Sequence, residues 1–291
     1  MWVSDGRETM SEKIAIMTDS TSDIPKHIIE EYGIQVVPLR IVYKDVEYRD
    51  EVDISAEEVY ARLAEEVPST SLPAPGDVLG LWERLKDEGF THVLAIHISS
   101  GLSGTGQLIE NLSHQVDDLV IKVIDSKNIS MGLGYTVIDA ARKLAQNVSF
   151  DSLCTHVQET MTKMRVYFVL ETLEYLTKGG RIGKVAGTLG QMLNLKPIIT
   201  VNEEGVYTTH AKVRGRRKSV DRLFETIKGH LAKPMQNVAV CHGAALEEAQ
   251  EFMERIMKHG NVSEVLLSHV SPVIGVHTGP GTLGFVVYPA D

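Results

Sequence analysis

Cysteine is scarce in this chain. Its 291 residues include two, Cys154 and Cys241. They lie far apart and have no CxxC partner, which excludes a zinc knuckle and a disulfide scaffold and suits a reducing cytoplasm. Basic charge is also short: 29 Lys and Arg stand against 39 Asp and Glu, a formal net charge of −10. General nucleic-acid binders present a basic face, so that class is excluded. No apolar run approaches the roughly 20 residues of a membrane-spanning helix, and no integral membrane association is expected. The opening residues are polar and mixed in charge, unlike a signal peptide or an anchor. Residues 1–12 read as a disordered or tag-like N-terminus. No internal repeat or low-complexity tract is visible.

What is present supports sizeable cores, because 43% of the residues are hydrophobic. The length suits one large or two medium domains. The chain is organised around Ser99-Ser100-Gly101-Leu102-Ser103-Gly104-Thr105. An apolar run at 93–98 precedes it and reads as a buried strand; residues 107–112 have helical spacing. A strand-to-helix turn of this kind offers hydroxyls and free backbone N–H groups at the positive end of a helix, a site for a carboxylate or a phosphate. Three enzyme motifs come close and fail. A P-loop needs a lysine where Gln107 stands; a nucleophile elbow needs a glycine where Thr105 stands; a dinucleotide fingerprint needs a glycine where Ile109 stands. An anion holder without evident chemistry of its own remains, beside an ordinary helix cap.

Strand and helix alternate through the first half. Strands are expected at 13–18, 34–43 (with Pro38 suggesting an edge or a bulge), 93–98 and 120–124. Helices are expected from Pro25 to Tyr32, capped by Asp23 or Ser22, from Ser55 with Glu58 completing a capping box, from Asp77 to Glu88, and through Ala145 after Gly132 and Gly134. A hydroxyl-rich turn is expected at 69–71. The pattern is α/β, with a doubly wound, mainly parallel sheet in an N-terminal domain over 13–150, whose ligands bind at the carboxyl ends of strands. The second domain, 151–291, is expected to start with a helix capped by Ser152 or Asp151. A strand at 166–170 follows, then a glycine-rich basic turn at 175–183 and a helix to about Asn194. A hairpin at 197–201 and 207–213 precedes a helix to about Leu231, and strands at 238–241, 265–268 and 284–288 flank a helix at 246–258. Hairpins and crossovers together imply a mixed α/β sheet.

The turns together resemble the DegV family of bacterial proteins. The matching residues are Thr18-Asp19-Ser20-Thr21-Ser22-Asp23, Thr70-Ser71-Leu72-Pro73, the Ser99-to-Thr105 turn, Val123-Ile124-Asp125-Ser126 with Gly132 and Gly134, Tyr175-Leu176-Thr177-Lys178-Gly179-Gly180-Arg181-Ile182, and His277-Thr278-Gly279-Pro280-Gly281. The resemblance runs from about Lys13 to the end. It implies two domains with a deep apolar ligand tunnel between them that holds one long-chain fatty acid. It also implies a partner: some members are the fatty-acid-carrying subunits of a bacterial fatty acid kinase, in which a separate kinase protein phosphorylates the bound carboxylate with ATP and the acyl phosphate enters phospholipid synthesis. On the family pattern the carboxylate is held by Thr70 and Ser103, with His277 close by. Leu72 stands where the family often has glutamine, and Gly106 where an aromatic residue is common.

The expected fatty-acid site is therefore Thr70, Ser71, Ser100, Ser103, Gly104 and His277, with no metal, no cofactor and no catalytic residue. A carboxylate at a tunnel end needs several donors, and the tail needs only apolar burial. Arg181, in its Lys-Gly-Gly-Arg turn, is expected either to organise the domain interface or to lie near the pocket, with a structural role preferred. The basic run 212–218 is a candidate docking patch for the kinase, through Arg214, Arg216 and Arg217. The competing readings are a serine-dependent acyl hydrolase or transferase using Ser103 and His277, and a regulatory binding module.

Overall fold

The computed structural model describes residues 12–188 and 194–290. The expectation of a disordered or tag-like N-terminus falls outside them, apart from Glu12, whose carboxylate accepts the Phe150 N–H at 2.8 Å. The first strand, β1 (Ile14–Asp19), is buried along its whole length. Strands with no polar face belong in parallel sheets covered on both sides. After β1 come α1 (Lys26–Tyr32), β2 (Gln35–Val37), β3 (Arg40–Val42), β4 (Glu47–Arg49), α2 (Ala56–Arg62), β5 (Ser69–Ser71), α3 (Pro75–Asp87), β6 (His92–His97), α4 (Thr105–Ser113), β7 (Val120–Asp125) and α5 (Met131–Leu144). The first sheet runs β2-β1-β6-β7 and is parallel throughout. Chain order reverses between β1 and β6, so their carboxyl ends flank the crevice where such sheets hold ligands.

Several local expectations are corrected. The strand expected at 34–43 is two strands: after Pro38 the chain leaves the parallel sheet, and β3 pairs antiparallel with β4 and β5 in a separate small sheet. The hydroxyl-rich stretch at 69–71 is itself β5, with Thr70 opposite Ile41. Pro25 occupies the N-cap of α1, and no side chain caps that helix. Asp23 is diverted elsewhere: its carboxylate accepts the Ser130 hydroxyl and the Ser271 N–H. The capping box at α2 is present, with Glu58 N–H on Ser55 Oγ at 3.2 Å and Ser55 N–H on Glu58 Oε2 at 2.9 Å.

The second half contains α6 (Phe150–Thr160), β8 (Arg165–Val169), α7 (Glu174–Lys178), β9 (Ile198–Val201), β10 (Tyr207–Ala211), α8 (Arg216–Leu231), β11 (Gln236–Gly243), α9 (Leu246–Met257), β12 (Val262–His269), α10 (Pro272–Thr278) and β13 (Thr282–Pro289). Ser149, rather than Ser152 or Asp151, caps α6. The basic turn begins with the short helix α7. The helix expected to about Asn194 is a 3-10 segment, Gly183–Thr188, and its continuation over 189–193 lies outside the described residues. The six strands run β10-β9-β8-β13-β11-β12; β11 and β12 pair parallel and the other pairs are antiparallel. This is the mixed sheet the sequence implies.

The two sheets face each other across α5. One apolar cluster spans both, with Ile16, Ile96 and Ile138 from the first half beside Phe168, Ile199 and Val286 from the second. Within it, the Tyr135 hydroxyl of α5 donates to the Val238 carbonyl at 2.6 Å. Two glycines let α5 come this close. A Cβ at Gly132 would meet Val166 at 2.5 Å, and one at Gly134 would meet the Ser22 carbonyl at 2.4 Å. A separate cluster joins α10 to the small sheet, through Val273 and Val276 against Leu39 and Ile41.

Candidate functional site

Four segments converge at the crevice between β1 and β6. The first is the turn after β1. The Asp19 carboxylate is fully buried and accepts from the Thr21 N–H at 3.0 Å, the Thr21 hydroxyl, the Ile98 N–H at 3.0 Å and the His97 ring at 2.9 Å. Burial alone would raise its pKa, but the hydrogen bonds from His97, Thr21 and Ile98 outweigh burial and hold the carboxyl below its ordinary range. The carboxylate thereby ties the ends of β1 and β6 together and fixes Thr21 in the cavity wall.

The second segment is the Ser/Gly turn after β6. Ser99 accepts the Leu102 and Ser103 N–H groups at 2.9 and 3.0 Å, and its hydroxyl donates to the Gly205 carbonyl at 2.8 Å. That bond fastens the turn to the β9–β10 hairpin of the other sheet. Glycine is needed at 101, where a Cβ would sit 2.7 Å from the Gly205 oxygen. Ser103 Oγ accepts the Thr105 N–H at 3.3 Å and is 2.9 Å from Thr105 Oγ1, which places the hydroxyl at the positive end of α4.

The third and fourth segments are β5 and α10. Thr70 Oγ1 and His277 Nε2 are hydrogen-bonded at 2.8 Å. The imidazole lies against Gly179, where a Cβ would come within 2.0 Å of Nδ1. Nδ1 is buried and has no hydrogen-bond partner among the described residues. Burial, reinforced by the nearby Arg181 charge, pushes the His277 pKa down to about 4, so the ring is neutral at pH 7. It meets Thr70 as a neutral hydrogen-bonding partner rather than as a cation.

These segments enclose a cavity of about 210 Å³. Thr70, Ser71, Ser103, Gly104, His277 and Arg181 give it a polar end. The remaining wall is mostly apolar, including Leu39, Ile98, Leu102, Ile129, Val273 and Ile274. Two of its wall residues, Ile129 and Tyr207, also bound a small pocket of about 30 Å³ lined by Val166, Phe168, Cys241 and Val286, among others. The apolar side thus leads from the hydroxyls toward the space under β8 and β13. At the exposed rim, Leu72 lies beside Gly104, close enough that a Cβ there would touch it at 3.8 Å. Two or three hydroxyl and N–H donors at the end of an apolar space are suited to a carboxylate on a hydrocarbon chain.

Five of the six residues expected from the sequence meet here: Thr70, Ser71, Ser103, Gly104 and His277. Ser100 does not. It is exposed, its N–H donates to Asp125 at 3.2 Å, and its hydroxyl accepts from Lys127 at 3.1 Å. Of the two places expected for Arg181, the structure shows the one at the pocket: it lines the cavity while donating to the Gly179 carbonyl at 2.7 Å. Thr21, Ile129 and Tyr207 were missed, and so was α10 itself, although Ser271-Pro272 is the cap-then-proline signature of a helix start. Ser103 and His277 do not form a nucleophile–base pair, since the first is bonded to Thr105 and the second to Thr70. In the basic run, Arg216 is held by Glu248, whereas Arg214 and Arg217 are exposed, so the candidate patch reduces to those two. Among the described residues no group of three or more His, Cys, Asp or Glu side chains is placed to hold a metal ion. None of the described helices is long and apolar enough to cross a membrane.

A family model described as an uncharacterised protein of the DegV family matches residues 13–290. A DegV domain-containing protein of Clostridium acetobutylicum is 44% identical over 277 residues, which is 95% of this chain and 99% of the relative. Among solved structures, a fatty-acid-binding DegV family protein of Thermus thermophilus is similar with a TM-score of 0.89 at 31% identity, covering 96% of this chain and 100% of that one. A stearic-acid-binding protein of Eubacterium ventriosum is similar with a TM-score of 0.88 at 29% identity, over 95% of this chain and 98% of its own.

Proposed function

The chain belongs to the DegV family, and we propose on that footing that it binds one long-chain fatty acid, with the carboxylate at Thr70, Ser103 and the start of α4 and the tail in the apolar space beyond. The observation that carries the reading is the Thr70–His277 hydrogen bond at the polar end of an otherwise largely apolar cavity. The fatty-acid-binding relatives of the same fold support it. The energetics are adequate. Each buried methylene contributes about 0.8 kcal/mol, so ten give on the order of 8 kcal/mol against the cost of association. The carboxylate keeps its charge because hydroxyl and N–H donors replace water.

The protein is a carrier in this reading. It presents the carboxylate at the rim beside Ser71, Leu72 and Gly104 to a separate ATP-dependent kinase. A carboxylate oxygen attacks the terminal phosphorus of ATP and leaves an acyl phosphate and ADP, a reaction that asks of this chain only that it hold and expose the acid. Exposed Arg214 and Arg217 would meet the kinase. Domains over 13–150 and 151–291, and a cytoplasmic location where ATP is available, complete the proposal.

Native mass spectrometry of the protein as expressed, beside a Thr70→Ala, Ser103→Ala double variant, tests it. The wild type is expected to carry a mass excess of one fatty acid that the double variant lacks. No excess on folded wild-type protein, before or after incubation with palmitate, overturns the reading.

A further inference from the structure

The N-terminus of α10 reads Ser271-Pro272-Val273, so it offers N–H groups at 271 and 273 and none between. Two buried carboxyls from the first half of the chain take both. Asp23 Oδ1 accepts the Ser271 N–H at 2.9 Å and Asp50 Oδ1 accepts the Val273 N–H at 2.9 Å. Acidic groups at a helix N-terminus are favourable on electrostatic grounds, yet a fully buried carboxyl is costly to keep without a purpose. Asp50 has no accessible surface. Burial drives its pKa well above the ordinary carboxylate range despite opposing hydrogen bonds from Ser20 and Val273, which favours the neutral acid.

Asp50 is attached at both ends. Its N–H donates to the Leu39 carbonyl at 2.9 Å, at the entrance to β3, the strand that places Thr70 opposite Ile41. Its side chain holds α10 at Val273. Val273 and His277 are four residues apart on that helix, hence on one face, and both line the cavity. A single residue, through its backbone N–H on one side and its carboxyl on the other, therefore links the sheet carrying Thr70 to the helix carrying His277.

We propose that Asp50 is a positioning residue of the headgroup site, which sets the Thr70–His277 pair by holding α10 against the small sheet. The link to ligand rests on the fatty-acid reading above; the link to His277 does not.

The test uses the full chain, stripped of lipid, as wild type, Asp50→Ala and Asp50→Asn. Asparagine keeps the oxygen that accepts from Val273 and carries no charge, so it mimics the neutral acid. Two readouts are taken: palmitate affinity, and the His277 ring nitrogens by NMR, assigned with His277→Gln. Asp50→Ala is expected to weaken palmitate binding about tenfold, the effect of losing one buried hydrogen bond, and to shift the His277 signals. Asp50→Asn is expected to restore both. An alanine variant that melts earlier but keeps its palmitate affinity and His277 signals, or an asparagine variant as impaired as alanine, overturns the proposal. If Asp50→Ala does not fold, Asp50→Ser, too short to reach Val273, replaces it. Wild-type protein that binds no palmitate defeats the fatty-acid reading alone, because the His277 signals still report what Asp50 does.

Discussion

The Thr70 hydroxyl and the His277 imidazole, 207 residues apart in the chain, meet at 2.8 Å. Neither is fixed by its own element alone. Thr70 depends on the pairing of β5 with β3, and His277 on the seating of a seven-residue helix. The pair marks where the two halves of the protein build one site.

Thr70→Val removes the hydroxyl at nearly constant volume. Fatty-acid affinity is expected to fall about tenfold, the cost of one lost charge-assisted hydrogen bond. Titration of delipidated protein with palmitate measures it, and an unchanged affinity would remove Thr70 from the headgroup site.

Ser103 and Ser100 sit three positions apart but face different surroundings. Ser103→Ala is expected to weaken palmitate binding by roughly five- to tenfold. Ser100→Ala, which loses contacts with Lys127 and Asp125 outside the cavity, is expected to leave binding within about twofold of wild type. The same titration separates them.

Gly101→Ala drives a methyl group to 2.7 Å from the Gly205 carbonyl oxygen and the Val206 side chain. It is expected to destabilise the protein by about 1–3 kcal/mol through overpacking. Gly106→Ala has nothing within 4 Å of the added carbon and serves as the control. Being in α4, it is expected to be neutral or slightly stabilising in chemical denaturation.

Burial raises the Asp23 pKa to about 7 against the hydrogen bonds from Ser130 and Ser271, with Glu51 adding to the rise and His269 opposing it. The unfolded chain titrates this carboxyl near 3.8. Between those values the folded state binds the extra proton, so Asp23 favours folding at low pH and this contribution is lost as pH rises through about 7. Asp23→Asn removes the titration. Its melting temperature is expected to gain on the wild type between pH 5 and pH 8; a constant difference across that range would count against the assignment.

Where the structure could be read from sequence, the determinants were local. The apolar run before Ser99 and the amphipathic segment after Gly104 define a strand, a turn and a helix without help from the rest of the chain. The Ser55–Glu58 capping box is equally self-contained. Three residues of the cavity wall could be singled out for another reason: Thr70, Ser103 and His277 belong to short motifs shared with the DegV family. What stayed hidden depends on partners distant in sequence. Asp23 has the composition of a helix cap, but Ser130 and Ser271 claim its carboxylate. The stretch around Pro38 has strand character throughout, and only the competition between two sheets splits it. Helix α10 is too short to show a period, and which of the two places open to Arg181 it takes, interface or cavity wall, is settled by the packing of its turn beside His277.

Helix α5 lies between both sheets, with its glycines pressed against Val166 on one side and Ser22 on the other. A protein assembled in this way has no seam along which to open like a clam shell. Parting the halves would strip α5 of its packing and begin to unfold the molecule. The cavity's exposed edge, at Ser71, Leu72 and Gly104, belongs to the small sheet and the Ser/Gly turn, a doorway set apart from that frame.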